Sequence, residues 1–427
     1  MKKLVLFALL IGVGLQAQSS KTEQLINEIE PKVIEWRRYF HEHPELSSRE
    51  FETAKKIAAH LEDLGMEVQT GIAHTGVVGI LKGDKPGPVV ALRADIDGLP
   101  VTERVDLPFA SKAISTYNGL ETGVMHACGH DTHIAMMMGT AEVLSKMKKD
   151  LKGTVKFIFQ PAEEGVPPGE EGGAEMMVKE GVLKNPDVDA IFGLHIRSYA
   201  NVGQIEYKPM GTMAAAQRFV IKIHGKQAHG SRPWSGTDPI FIAAQIITGL
   251  NGIISRDTEL TKEAAVISVG LIRGGVRNNI IPEEVELIGT IRTLDYDMQK
   301  KLNETMTFRV QAIAESYGAT ADITIDKGIP ITYNDPELTA KMLPSLERSA
   351  GKDNVILVDA TTGAEDFSFF QKEVPGFYFF VGGKPLDIKK EDASSHHTPD
   401  FYIDEGGLKL GVVSMVNLTL DYMEVKR

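Results

Sequence analysis

Three apolar runs in this chain end directly on residues that can ligate metals or move protons. Residues 88–93 lead into Asp95 and Asp97, residues 154–159 into Gln160, Glu163 and Glu164, and residues 189–194 into His195. A fourth run, residues 376–381, lies upstream of His396 and His397. Each reads as a buried strand, and helical patterns lie between them. The alternation predicts an α/β fold whose mixed, mostly parallel sheet is flanked by helices. In open sheets of this kind ligands bind beyond the carboxyl ends of the strands, which is where the polar groups fall here.

At 427 residues the chain is long enough for two or three domains. Its formal charge of −12 argues against binding a phosphate backbone, so nucleic acid is excluded as a partner. The N-terminus differs in kind. Lys2 and Lys3 precede an apolar run over residues 4–15, with small Ala17 and polar Gln18 after it. This pattern predicts a signal peptide over residues 1–17, too short to span a membrane comfortably. Its removal takes the charge to −14 and leaves an exported protein, periplasmic or secreted, without a membrane span. The single cysteine, Cys128, rules out an intrachain disulfide. In an oxidising compartment metal coordination would protect it.

Residues 22–65 read as helical, with Gly65 as the stop. Near Met213 the chain changes character. Strand patterns at residues 219–224, 264–272, 285–292 and 321–325 enclose helical patterns at 238–255 and 294–317. The order is β-α-β-β-α-β, a ferredoxin-like α+β unit. The expected organisation is a metal-binding domain over residues 18–212 and 327–427, with a lid inserted over residues 213–326.

Cys128 and His130 would diverge by about 200° on a helix, so both face one site only if the chain turns at Gly129. The helix that follows carries Ile134, Met137, Met138, Ala141, Leu144 and Met147 on one face, a stripe that suits core packing. Its N-terminus favours a thiolate on Cys128. Asp131 and His133 are expected to support ligands, and His126 is ambiguous. Glu163 and Glu164 are adjacent carboxylates whose burial together requires a cation, which suggests one metal ligand and one general base. Asp95 and Asp97 share one side of an extended chain and could orient a ligand. His195 and His397 complete the inventory for binding two metals and activating water. The inserted unit adds His229, Asn278, Asn279 and Arg292, groups suited to an oxyanion and a carboxylate.

The segments Arg93-Ala-Asp-Ile-Asp-Gly-Leu-Pro100, His126-Ala-Cys-Gly-His-Asp131, Gln160-Pro-Ala-Glu-Glu-Gly165 and Gly363-Ala-Glu-Asp-Phe367 resemble a family of metal-dependent amidohydrolases. It includes hippurate hydrolases, N-acyl-amino-acid amidohydrolases, certain carboxypeptidases and indoleacetyl-amino-acid hydrolases. The resemblance runs from about residue 25 to the C-terminus. It implies two divalent metals per subunit, zinc or manganese first and nickel or cobalt as alternatives. It implies Cys128, His130, Glu164, His195 and His397 as their ligands, with Asp97 and Asp131 in support. Glu163 would be the general base, His229 would polarise the substrate carbonyl, and Asn279 and Arg292 would hold a substrate carboxylate. The substrate would be an N-acyl-amino acid or dipeptide, and the chain would form a homodimer through the lid. Residues 167–169 mark where specificity would differ. A dipeptidase or carboxypeptidase, and a non-catalytic binding protein, remain alternatives. The sequence has no G-x-S-x-G elbow and no phosphate-binding P-loop.

Overall fold

A computed structural model describes residues 2–425, with side chains from Lys21 to Glu424. The signal peptide expected over residues 1–17 therefore lies outside the described side chains. The chain divides into two compact units, one of residues 1–209, 334–358 and 369–427, the other of residues 210–333 and 359–368.

The first unit is built on an eight-stranded sheet. From edge to edge its strands are Glu67–Ile72, Gly76–Lys82, Lys152–Gln160, Lys85–Asp95, Ala190–Asn201, Gly376–Lys384, Ile205–Tyr207 and Val355–Leu357. The four central strands, 152–160, 85–95, 190–201 and 376–384, run parallel to one another, while the strands at 67–72, 76–82 and 205–207 make antiparallel pairs. The mixed, mostly parallel sheet expected from the apolar runs is present. Strands 152–160, 190–201 and 376–384 are buried along nearly their whole length and strand 85–95 from Val90 onward, which is why they lack polar alternation there.

Helix α1 (Lys2–Glu42), α2 (Phe51–Asp63), α3 (His130–Lys146) and the C-terminal helix Leu408–Val425 pack around this sheet. The helical stretch expected over 22–65 is two helices. His43 precedes Pro44, whose ring disfavours helical geometry at the residue before it, and the chain turns through Ser48 at φ +59° before α2 starts. Helix α3 also differs from expectation. It is buried on all sides from His130 to Leu144, not along one stripe, because α1, the C-terminal helix and the sheet enclose it. Gly139 permits α1 to approach closely, since a Cβ there would stand 2.7 Å from Val33 Cγ2.

The second unit is a four-stranded antiparallel sheet in the order Ala265–Gly274, Glu284–Thr293, Ala215–His224, Thr320–Ile325. Helices Pro239–Gly252 and Tyr296–Ser316 pack on it, giving the chain order β-α-β-β-α-β. The carboxylates of Asp238 and Asp295 cap the two helices by accepting main-chain N–H groups of their first turns. Segment 359–368 joins this unit through hydrogen bonds from Ala214 N–H to the carbonyls of Thr361 and Gly363.

Candidate metal centre

Strand 85–95 ends at Asp95, strand 152–160 at Gln160, and His195 lies within strand 190–201 beside them. Parallel register therefore brings Asp95, Asp97, Glu163, Glu164 and His195 to one end of the sheet. Gly129 adds Cys128 and His130. Its φ is +91°, and a Cβ would lie 2.3 Å from Ile196 Cγ2, so only glycine fits the turn that aims both side chains inward. His397 arrives from the loop after strand 376–384. Its backbone is left-handed at φ +62°, and its N–H donates to the carbonyl of Ala127 at 2.8 Å. A side chain held so is strained by about 1–3 kcal/mol, a cost found mainly where side-chain direction matters.

The ligating atoms converge. Cys128 Sγ lies 3.4 Å from His195 Nε2 and 3.3 Å from His397 Nε2, and the latter is 2.9 Å from Glu164 Oε1. His130 Nε2 lies 3.9 Å from Glu163 Oε2 and 4.0 Å from Glu164 Oε1. Cys128, Glu164 and His397 form one group that could hold a metal, and His130, Glu163 and Glu164 another, with ligating atoms within 4.8 Å of one another in each.

Hydrogen bonds fix which ring nitrogens face this space. His130 Nδ1 donates to the Asp97 carbonyl at 2.9 Å and lies 3.1 Å from its Oδ1, leaving Nε2 buried without a hydrogen-bond partner. His195 Nδ1 donates to the Ile196 carbonyl at 2.5 Å, leaving Nε2 for the site. This is how metal-ligating imidazoles are held. His133 is different. Its Nε2 accepts the Ile196 N–H at 2.8 Å and its Nδ1 binds Asp95 at 2.5 Å, so both nitrogens are engaged and the ring supports the fold of the site. His396 Nε2 accepts the Ser198 N–H at 3.2 Å, so Nδ1 carries the proton and faces Cys128 Sγ at 3.6 Å. In the sequence His396 stands out only beside His397, and its place as a donor to the sulfur follows from the Ser198 contact.

Asp97 links the parts. Beyond His130, its Oδ2 accepts the Glu164 N–H at 3.0 Å and the Ser47 hydroxyl at 2.7 Å. Asp131 lies elsewhere than expected. It pairs with Arg37 Nε and His41 Nδ1, both at 2.9 Å, and His41 Nε2 reaches Glu103 at 3.1 Å. Its carboxylate thus ties α3 to α1, and its backbone proximity to His130 does not bring it to a ligand. His126 is fully buried with neither ring nitrogen bonded, and burial lowers its pKa to about 4.

The electrostatics favour a cation. Burial opposes a charged His130, yet Asp95, Asp97 and Glu164 overcome it and raise its pKa to about 10. Burial, and after it Glu164, Glu163 and Asp95, push the Cys128 thiol up, so a thiolate there calls for a neighbouring cation. A buried set of thiol, imidazoles and carboxylates with this field, and with His130 Nε2 unbonded between two glutamates, fits divalent metal.

In the second unit, His229 pairs with Ile280 in a short ladder, and Gly230 N–H donates to the Asn279 carbonyl at 2.8 Å. His229 Nδ1 accepts the Ser231 N–H at 3.0 Å, which places the proton on exposed Nε2. Arg292 stands opposite Ala216 at one end of strand 215–224, while His229 follows the other end. At about 3.3 Å per residue, the strand from Ala216 to His224 alone spans roughly 26 Å. His229 and Asn279 are thus brought together, and Arg292 is not. Glu365 and Asp366 of the Gly363–Phe367 motif are buried in segment 359–368.

The family model described as peptidase family M20/M25/M40 matches residues 91–421. The chain is 41% identical over 404 residues to thermostable carboxypeptidase 2 of Saccharolobus solfataricus, covering 94% of this chain and 98% of that protein. It is 38% identical over 396 residues to an N-acetylcysteine deacetylase of Bacillus subtilis, covering 92% and 97%. Among solved structures, a dinuclear metal-binding peptidase of the M20 family from Bacillus subtilis superposes with a TM-score of 0.78 at 35% identity, covering 93% and 99%. The chain therefore belongs to peptidase family M20/M25/M40, and it is a hydrolase of amide bonds.

Proposed function

We propose that this protein hydrolyses the amide bond of N-acyl-amino acids with two divalent metals, held by Cys128, His130, Glu164, His195 and His397. The observation that carries the reading is the buried, unbonded Nε2 of His130, fixed by Asp97 and set between Glu163 and Glu164. Similarity to a deacetylase of acetylated cysteine and to a dinuclear peptidase supports it. When bound, the metals lower the pKa of a water and polarise the substrate carbonyl. The thiolate and imidazole donors suit zinc, and manganese is the second candidate.

Glu163 is the general base. Its side chain is 11% exposed, it lies 3.9 Å from His130 Nε2, and the group of Cys128, Glu164 and His397 is complete without it. It takes a proton from the attacking water and returns it to the leaving amine. His229 donates its Nε2 hydrogen to the oxyanion, and Asn279 and Arg292 hold the substrate carboxylate. The lid, residues 213–326, belongs to the second unit of residues 210–333 and 359–368.

Arg292 lies toward one end of strand 284–293, and His229 follows the opposite end of strand 215–224. That arrangement supports a homodimer through the lid, in which two chains share one substrate. Trp234, Ile240, Phe241, Ile272 and Val276 of this unit are exposed apolar side chains, and Ala265–Gly274 is an edge strand, surfaces a second copy would cover. Export belongs to the same proposal and rests on the charge and apolar run of the N-terminus.

A carboxypeptidase is the second reading, favoured by the 41% identity to a protein of that name. Rates on hippurate, acetyl- and long-chain acyl-amino acids and plain dipeptides, measured on chelated protein and after adding zinc or manganese, separate the two. Metal-restored cleavage of acylated amino acids is expected. Cleavage of dipeptides alone would favour the peptidase, and no metal-dependent cleavage would overturn both.

A further inference from the structure

We propose that Glu50, at the start of α2, is a positioning residue for Glu163 and Glu164, its carboxylate holding the turn that aims them. Glu50 is fully buried. One oxygen accepts the N–H of Ala162 at 2.9 Å and the other accepts the Thr75 hydroxyl at 2.5 Å. Among the described residues the carboxylate has no cationic partner. Burying such a group is costly unless its hydrogen bonds do something a hydrophobic residue cannot.

The turn it holds needs holding. Strand 152–160 stops being paired at Gln160, whose carbonyl accepts the Ile96 N–H at 3.0 Å. Pro161 has no N–H, so Ala162 offers the first free donor after the strand. Ala162 is left-handed at φ +52°, a conformation that costs a side-chain-bearing residue about 1–2 kcal/mol. This reversal swings Glu163 out of the strand direction. The amide after Glu163 belongs to Glu164 and donates to Asp97 at 3.0 Å. Glu163 is thus gripped on both sides, through Ala162 by Glu50 and through Glu164 by Asp97. The neighbouring Arg49 holds the far end of the same loop by two bonds to Glu170, at 2.6 and 3.1 Å. Burial and the nearby Asp97 raise the Glu50 carboxyl to about 7, in keeping with a group retained for its acceptors and not for its charge.

The inference rests on the reading of Glu163 as general base, and its test separates the two. Glu50→Gln keeps an acceptor for Ala162, and Glu50→Ala removes it. On metal-loaded enzyme, E50A is expected to lose about 10²-fold in kcat, the cost of misplacing a reacting group by about an ångström. KM should stay within about twofold, because the lost interaction acts in the transition state. E50Q should recover most of the loss. Hydrogen exchange on metal-free protein gives a second readout. Peptides covering residues 161–165 should exchange faster in E50A, with strands 85–95 and 152–160 unchanged. Should E50A fail to fold, Thr75→Val, which frees the other carboxylate oxygen, should give a smaller loss of kcat with the same exchange pattern. Wild-type kcat and exchange in these variants, or an E50Q as defective as E50A, would overturn the role of Glu50. A wild-type protein that cleaves no amide would instead overturn the proposed function, while the exchange result would still judge Glu50.

Discussion

His130 Nδ1 donates to the main-chain oxygen of Asp97 at 2.9 Å, and the same residue's carboxylate accepts the N–H of Glu164 at 3.0 Å. One aspartate at the end of strand 85–95 therefore fixes a ring and a carboxylate from two other parts of the chain. Replacing Asp97 by Ala leaves the main-chain contact to His130 and removes the hold on Glu164. Metal affinity, measured by competition with a chromophoric chelator, should fall by about 10- to 100-fold, toward the lower end because that contact survives.

Glu163→Gln preserves shape and removes the base. Turnover of acylated amino acids should fall by about 10²- to 10⁴-fold, with metal content unchanged by elemental analysis. Equal loss of metal would move Glu163 into the ligand set.

The architecture of the site was legible in the sequence because apolar runs end where the chemistry begins. Position along residues 154–159 and 189–194 told which end of the sheet Glu163 and His195 would share. What stayed hidden were partnerships that depend on packing of distant segments. Asp131 follows His130 directly, yet the helix turns it toward Arg37 and His41 of α1. Glu50 sits 112 residues before Ala162 and meets it only in the folded chain, after a turn in which Ser48 is left-handed. His133, one helical turn from His130, is expected from the sequence to support ligands, and its two hydrogen bonds show why it is not free to ligate.

Asp131 makes a prediction about acid stability. Burial works against its charge, but Arg37 and His41 hold its carboxyl well below the usual range. A lowered folded pKa contributes stability that is complete above the unfolded value, about 3.9, and is lost as pH falls through the folded value. Asp131→Asn leaves Arg37 with Glu405 as its remaining carboxylate partner, 3.3 Å from its guanidinium, and should cost less than the about 3–5 kcal/mol of a fully unpaired buried charge at neutral pH. In urea denaturation of chelated protein, the gap between variant and wild type should narrow as pH drops below about 4. A gap independent of pH would argue that packing, not charge, holds this junction.

Lys156 lies in strand 152–160 with its ammonium buried, donating to the carbonyls of Val182 at 2.9 Å, Lys184 at 2.7 Å and Pro186 at 3.2 Å. Lys156→Met should leave these carbonyls short of donors, at about 1–3 kcal/mol for each that water cannot reach. Thermal unfolding should begin earlier, while kcat at low temperature stays at the wild-type value, since Lys156 has no part in the site.

The most direct test of the account is a metal titration of chelated protein, with bound zinc or manganese counted per chain while hydrolysis of an acylated amino acid is followed. The account predicts two metals per chain, with activity returning as they bind and Glu163→Gln binding both without regaining activity. Full hydrolysis by the metal-free protein, or binding of two metals by wild type with no amide cleaved, would contradict it.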